Sequence, residues 1–391
     1  MKHIYLDYSA TTPVDPEVAK IISAHTAETF GNASSVHAYG RKAKVLLEES
    51  REIVARSLDA HPAEIFFTSG GTEADNHALI GAAFAQKRNS GKDHIIVSAV
   101  EHHAVLDTVE YLQKLDFRTS FIPVDSSGRI IPEKLEEIIT PDTGIISVMH
   151  ANNEIGTIQP LAVVAEIAKR HGIIFHSDTV QTFGKIPVNV NELQTDVLSL
   201  SSHKIYGPKG IGAIYIRRGV SIDALLHGGA QERNNRAGTE NVPLIAGFAK
   251  AVELSQQQMK LYYDHAATLN TMLRKKIQRN VEGIMFNGDE SNSLPHILSV
   301  SLDPSVYDAE GESMLFNMDL QGIAVSSGSA CTSGSIQPSH VLLAMGRNER
   351  TTRTAIRFSF GKTTSIDEVE KAGEVYCSIV QSLPKKIGTF Q

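Results

Sequence analysis

The stretch SSHK at 201–204 follows the apolar run VLSL, which places Lys204 just past a strand expected to be buried. Partial desolvation there lowers a lysine's pKa and frees a neutral amine to act as nucleophile. Twenty-six positions upstream (204 − 178), Asp178 closes another strand-like run, IIFHSD. A lysine and a carboxylate on neighbouring strand ends are what a pyridoxal phosphate site needs, one to bond the aldehyde carbon and one to face the pyridine nitrogen. Each residue also has a plainer reading. Lys204 could be a surface lysine with its stem laid on apolar neighbours, and Asp178 could be the N-cap of a following helix.

A phosphate site is suggested by FFTSGGTEADN at 66–76, which reads as a strand, a Gly-rich turn and a helix start. Amides at Gly71 and Thr72, with the Thr72 hydroxyl, could receive an anion there, although glycine turns before helices are common. Glu101-His102-His103 follows the strand IIVSAV and puts an imidazole at another strand end, where it could stack on a ring or move protons. The paired histidines could also suggest a metal, but no third ligand has suitable spacing. The last candidate is Cys331, set in SSGSACTSG at 326–334. Serine and glycine bury little and keep a segment mobile, so this thiol reads either as presented for chemistry or as a small hydrophobe in a turn. The second cysteine, Cys377, lies in the apolar stretch VYCSIV and reads as core.

The elements that must hold these residues follow from periodicity. Short β-branched runs at 95–98, 145–150, 172–178, 197–202 and 212–217 alternate with helical stretches, the pattern of a mostly parallel sheet flanked by helices. Ligands in such sheets collect beyond the carboxyl ends of the strands, where Asp178 and Lys204 lie. From Val242 to about Arg279 helical spacing runs without proline after Pro243, predicting a long helix that links two domains. Beyond it, 296–303 and 355–361 alternate as strands and 365–383 reads as a helix, which makes the C-terminal third a smaller α+β unit.

At 391 residues the chain is long for one core, and two domains are expected. Hydrophobic residues at 41% and charged residues at 21% are ordinary for a soluble globular protein. A formal charge of −7 has the wrong sign for phosphate-backbone binding, so nucleic acid is not expected as a partner. The start MKHIYLDYSA has no basic-then-apolar leader and no apolar run of about 18 residues occurs, so a cytoplasmic protein without a membrane span is expected. The two cysteines, 46 positions apart (377 − 331), form no metal-spaced pair, and no metal is expected.

Taken together, YLDYSATTPVDPEV, FGNASSVHAYGR, FTSGGTEADN, EHHAVL, NNEIGTIQP, HSDTVQTFGK, SSHKIYGPKGIG, RAGTENVP, SSGSACTSG and IRFSFG stand in one order. With these motifs the chain resembles the group I cysteine desulfurases, pyridoxal phosphate enzymes of fold type I in the class V aminotransferase group. The resemblance implies an α/β fold, with a large domain over 16–255, a small C-terminal domain over 256–391 joined by residues 1–15, and a catalytic loop at about 324–338. It implies that Lys204 forms the aldimine with the cofactor, Asp178 pairs with the pyridine nitrogen, Gln181 bonds the phenolic oxygen, and His102 stacks on the ring and assists proton transfer. Gly71, Thr72, Ser201 and His203 would hold the phosphate, and Thr239 would reach the phosphate of a neighbouring subunit in a homodimer. Asn32, Asn153 and Arg357 would receive the carboxylate of L-cysteine. Cys331 would take the sulfur as a persulfide and pass it to an acceptor protein, an iron–sulfur scaffold or a sulfur carrier.

Two other functions use some of the same residues, and a third reading uses none of them. An aminotransferase would employ Lys204, Asp178 and Arg357 but gives no reason for Cys331 in a glycine loop. A selenocysteine lyase could use the whole set. A scaffold without catalysis would need none of Lys204, Asp178, His102 and Cys331.

Overall fold

A computed structural model describes residues 3–327 and 337–386 of the protein. Five of the runs that alternate with helices in the sequence become strands of one seven-stranded sheet. Across the sheet the strands are Ile65–Thr68, Gly212–Ile216, Val197–Ser201, Ile174–Asp178, Thr143–Ser147, His94–Ser98 and Arg118–Ile122. All neighbours are parallel except Gly212–Ile216, which is antiparallel to the strand on each side. The inner strands bury nearly every residue because helices cover both faces, which is why their sequences read as unbroken apolar runs.

The six parallel strands direct their carboxyl ends to one edge. Asp178, Ser201 and Thr68 lie there, each at the end of its strand. After Thr68 the chain turns through Gly70, at φ 157°, into the helix Gly71–Asn76. Helical backbone then runs on through a wide turn at His77–Gly81 to Ala82–Ser90.

The helix Val242–Asn280 has 39 residues, about 58 Å at 1.5 Å per residue. Its first half sends Ile245, Phe248 and Val252 into the core that includes Leu47, Val54, Leu198 and Leu200 of the large sheet unit. Its second half sends Leu269, Leu273 and Ile277 into a different core with Leu298, Phe358 and Tyr376. Residue 255 therefore falls inside one continuous helix that both cores share.

The second core is built on the antiparallel sheet of Ile356–Ser359, Ile297–Leu302 and Ile284–Asn287. The helix Ile366–Ser382 lies against it, opened by a capping box in which Ser365 and Glu368 exchange bonds with each other's backbone amides. Cys377 is buried there, as its apolar stretch predicts. The N-terminal segment also belongs to this core: Ile4–Tyr5 pairs in parallel with Ile323–Ala324, and Ile4 and Leu6 are buried. Among the described residues no helix is long and apolar enough to cross a membrane.

Candidate active site

At the carboxyl edge of the large sheet a cavity of about 550 Å³ opens toward the C-terminal core. It gathers Gly71, Thr72, His102, Asn153, Asp178, Gln181, Ser201, His203, Lys204 and Arg357, ten residues drawn from six separate stretches of the sequence. Asn32 and Thr239 do not line it; both are exposed. Cys331 lies outside the described residues, while Val325, Ser326 and Ser327, the last residues described before it, are part of the cavity wall.

Lys204 sits in the short helical turn Ser202–Lys204 that follows the strand Val197–Ser201. Its Nζ donates to the carbonyl oxygens of Ser9 and, at 2.9 Å, of Ala10. Burial, reinforced by the positive charge of Arg357 and opposed by Asp178 and Asp7, brings its pKa down from 10.5 to about 8. A substantial neutral fraction near physiological pH is what a nucleophilic or proton-abstracting amine requires.

Asp178 accepts the amide N–H of Val180 at 2.8 Å, the local bond expected of an N-cap. Its burial raises its pKa from 3.8 to about 6, against the Val180 bond and the charge of Lys204, which lower it. A carboxylate this dehydrated gains strongly from a cationic partner, and a protonated ring nitrogen is such a partner.

His102 caps the helix His103–Gln113, its Nδ1 accepting from the Ala104 N–H at 3.0 Å. With Nδ1 committed as acceptor, the ring proton resides on Nε2. Burial first, then the charge of Lys204, lower its pKa to about 4, so the imidazole is neutral.

At the other end of the cavity lies the helix start at Gly71 and Thr72. A Cβ added at Gly71 would lie 2.7 Å from Val180 Cγ2, so only glycine fits. Ser201 Oγ is buried without a partner among the described residues, and His203 Nδ1 bonds Thr11 Oγ1 at 3.1 Å. The loop that carries Thr239 is tied to this helix start by Arg236, whose Nε donates to Glu73 at 2.9 Å. It is anchored further back by buried Glu232, which accepts from Arg51 at 2.6 and 2.8 Å and from the Phe67 N–H at 2.8 Å.

Arg357, only 4% exposed, donates from Nη1 to the Asn153 carbonyl at 2.8 Å and from Nη2 to Asp7 Oδ1 at 2.9 Å. Its Nε is buried without a partner among the described residues. The guanidinium is thus held rigidly while retaining donor capacity for a carboxylate.

The donor set fits pyridoxal phosphate: an amine of lowered pKa, a buried carboxylate, an unpartnered buried hydroxyl beside a glycine helix start, and an amide at Gln181 between them. Sequence reasoning missed the contributions of Asp7, Ser9 and Asp75. The first two come from an N-terminal stretch with no local signal of a site, and Asp75 stands inside a stretch read only for its phosphate-binding turn.

Comparison with known proteins agrees with this chemistry. The family profile Aminotransferase class-V matches residues 4–372. Cysteine desulfurase IscS of Dictyoglomus turgidum is 46% identical, with 98% of this chain and 95% of the relative covered. Cysteine desulfurase IscS of Methanosarcina thermophila is 45% identical, with 98% and 93% covered. Among solved structures, a NifS-like protein superimposes with a TM-score of 0.89 at 38% identity, over 97% of this chain and 99% of the other. A NifS-like protein from Rickettsia africae gives 0.86 at 32%, over 97% and 99%.

The fold and the site are those of a pyridoxal phosphate enzyme, and the chain belongs to the class V aminotransferase family. Within that family its place is with the cysteine desulfurases.

Proposed function

We propose that this chain removes the sulfur of L-cysteine, releasing L-alanine and leaving the sulfur as a persulfide on Cys331. The observation that carries the reading is the meeting in one cavity of Lys204, its amine at about 8, with Asp178 and the tethered guanidinium of Arg357. Pyridoxal phosphate, when bound, supplies an aldehyde that condenses with amines and a ring that withdraws electrons. Lys204, Asp178, Gln181, Gly71, Thr72, Ser201 and His203 would hold it.

Arg357 receives the substrate carboxylate together with the Asn153 side chain, which fixes the Cα–H bond relative to Lys204. The neutral amine of Lys204 takes the proton from Cα. The neutral imidazole of His102 can donate its Nε2 proton and recover it. Cys331, as thiolate, then attacks the substrate sulfur. The C–S bond breaks, an S–S bond forms on the enzyme, the freed carbon takes up a proton to become the methyl of alanine, and Lys204 returns its proton to Cα. Cys331 follows Ser327 of the cavity wall by four positions in the sequence.

The persulfide passes to an acceptor protein, of the iron–sulfur scaffold or sulfur-carrier kind, in the cytoplasm. A homodimer completes the site: Phe30, Val36 and Tyr39 are exposed around Asn32, with the Phe30 and Tyr39 rings 5.2 Å apart, an apolar surface suited to a second copy. Thr239, exposed on a loop tied to the phosphate end, is then available across that interface. Purified protein loaded with pyridoxal phosphate and given L-cysteine should form alanine and sulfur, bound and released together, in equal amounts. Alanine formed without any bound or released sulfur would overturn the reading. Sedimentation should show a dimer, and a fully active monomer would remove the shared site.

A further inference from the structure

Behind Gln181 lies a buried lysine that the reaction does not use. Lys185 is 4% exposed, and among the described residues no carboxylate is within ion-pair distance of its Nζ. Its two partners are Gln181 Oε1 at 3.3 Å and His296 Nε2 at 3.1 Å. His296, 1% exposed, precedes the strand Ile297–Leu302 and comes from the other core. Lys185 and Lys204 also line one small void of about 30 Å³, room for a single water.

A buried amine with no counter-ion is costly unless it is neutral. Burial and the positive charges of Lys204 and Arg357 hold Lys185 well below the ordinary lysine range. Burial, with the charges of Arg357 and Lys204, likewise keeps His296 neutral. A neutral amine has two N–H groups and one lone pair. The Gln181 carbonyl oxygen can only accept, so Lys185 donates to it. Its other N–H and its lone pair are left to serve the Nε2 of His296.

The consequence concerns an amide that is nearly symmetric in shape. Gln181 Nε2 donates to the Ser9 carbonyl at 3.0 Å, and its Oε1 faces Lys185. Reversing the amide would turn its NH2 toward the Lys185 N–H and its oxygen toward the Ser9 oxygen, donor to donor and acceptor to acceptor. We infer that Lys185, steadied by His296, is a positioning residue that locks Gln181 with its NH2 toward the cofactor's phenolic oxygen. This rests on the proposed cofactor contact of Gln181. An N–H donor at the phenolic oxygen stabilises its negative charge and weakens its hold on a proton shared with the Lys204 nitrogen. Losing the lock therefore raises the pH at which that proton leaves.

The test follows the visible absorbance of the cofactor-loaded protein as a function of pH in the parent, Lys185→Met, Gln181→Leu and the double variant, alongside the affinity of each apoprotein for pyridoxal phosphate. Lys185→Met should raise the midpoint by about half a pH unit or more and weaken cofactor affinity several-fold. The double variant should shift no further than Gln181→Leu alone, because the lysine acts through the amide. His296→Leu, which removes the second partner and keeps the lysine, should shift the midpoint in the same direction by less. A parental midpoint in both Lys185→Met and His296→Leu overturns the inference while leaving the site reading intact. Additive shifts in the double variant overturn it as well, since the lysine would then act independently. A parental midpoint in Gln181→Leu overturns the cofactor contact itself and the inference with it.

Discussion

Lys204 and Gln181 donate to one acceptor, the carbonyl oxygen of Ser9, Gln181 doing so from Nε2 at 3.0 Å. The reactive amine and the amide beside it are thereby registered to the N-terminal segment, which packs with the second core rather than with the sheet that carries them. The candidate active site is a seam between two units.

Lys204 should govern cofactor capture. With a pKa of about 8, its neutral fraction rises from about a tenth at pH 7 to about nine-tenths at pH 9. The rate at which apoprotein develops the visible band with pyridoxal phosphate should follow that curve and level off above it. Lys204→Ala should retain cofactor through the phosphate contacts yet lose turnover by at least about a thousandfold. Near-normal alanine formation by this variant would refute the role.

Asp178 should trade stability for function. Its pKa is about 6 in the fold against 3.8 unfolded, so the unfolded chain releases this proton first and stability falls as pH rises between the two values. Asp178→Asn apoprotein should therefore be more stable than the parent at pH 7, by about 1–3 kcal/mol, and no more stable below pH 3.8. Its loaded form should lose about two orders of magnitude in kcat. Denaturant unfolding at the two pH values checks the first claim, and a variant destabilised at pH 7 would contradict it.

Arg357 should act on substrate binding. Arg357→Lys keeps the charge but loses the fork shared between Asp7, the Asn153 carbonyl and the substrate. The expected result is a KM for cysteine raised about 10- to 100-fold, with a smaller fall in kcat. An unchanged KM would place the carboxylate elsewhere.

The two cysteines should separate cleanly. Cys331→Ala should leave cofactor binding intact and shift the visible spectrum on adding cysteine, but release almost no alanine and carry no extra sulfur by intact mass. Cys377→Ala, buried against Tyr376 and its neighbours, should behave like the parent apart from a packing loss of about 1 kcal/mol. Labile sulfur mapped to Cys377 would reverse the assignment.

The legibility of this architecture in the sequence follows from where the forces are local. Strands such as Val197–Ser201 are readable because burial on both faces leaves a continuous apolar run. The reversed direction of Gly212–Ile216 is not written in its own residues. It follows from the connection 202–211, too short to hold a crossover helix. Lys204 and Asp178 were legible because their chemistry sits at strand ends. Asn32 and Thr239 were named through family resemblance alone, and in this chain they stand apart from the cavity, at exposed positions. Lys185 has a faint signal, its place four residues after Gln181, but its partner His296 is 111 positions away and only folding reveals it.

The pairing of Ile4 with Ile323 also orders events on the ribosome. The first strand leaves the exit tunnel 319 residues (323 − 4) ahead of its partner, an interval on the order of half a minute at ordinary synthesis rates. During that time the large sheet can form while Ile4 and Leu6 still lack the core they pack into. The nascent protein thus carries Lys204 well before Arg357 and the rest of the second core are made. Catalytic competence arrives as a late step of translation, when the last quarter of the chain closes over the first few residues.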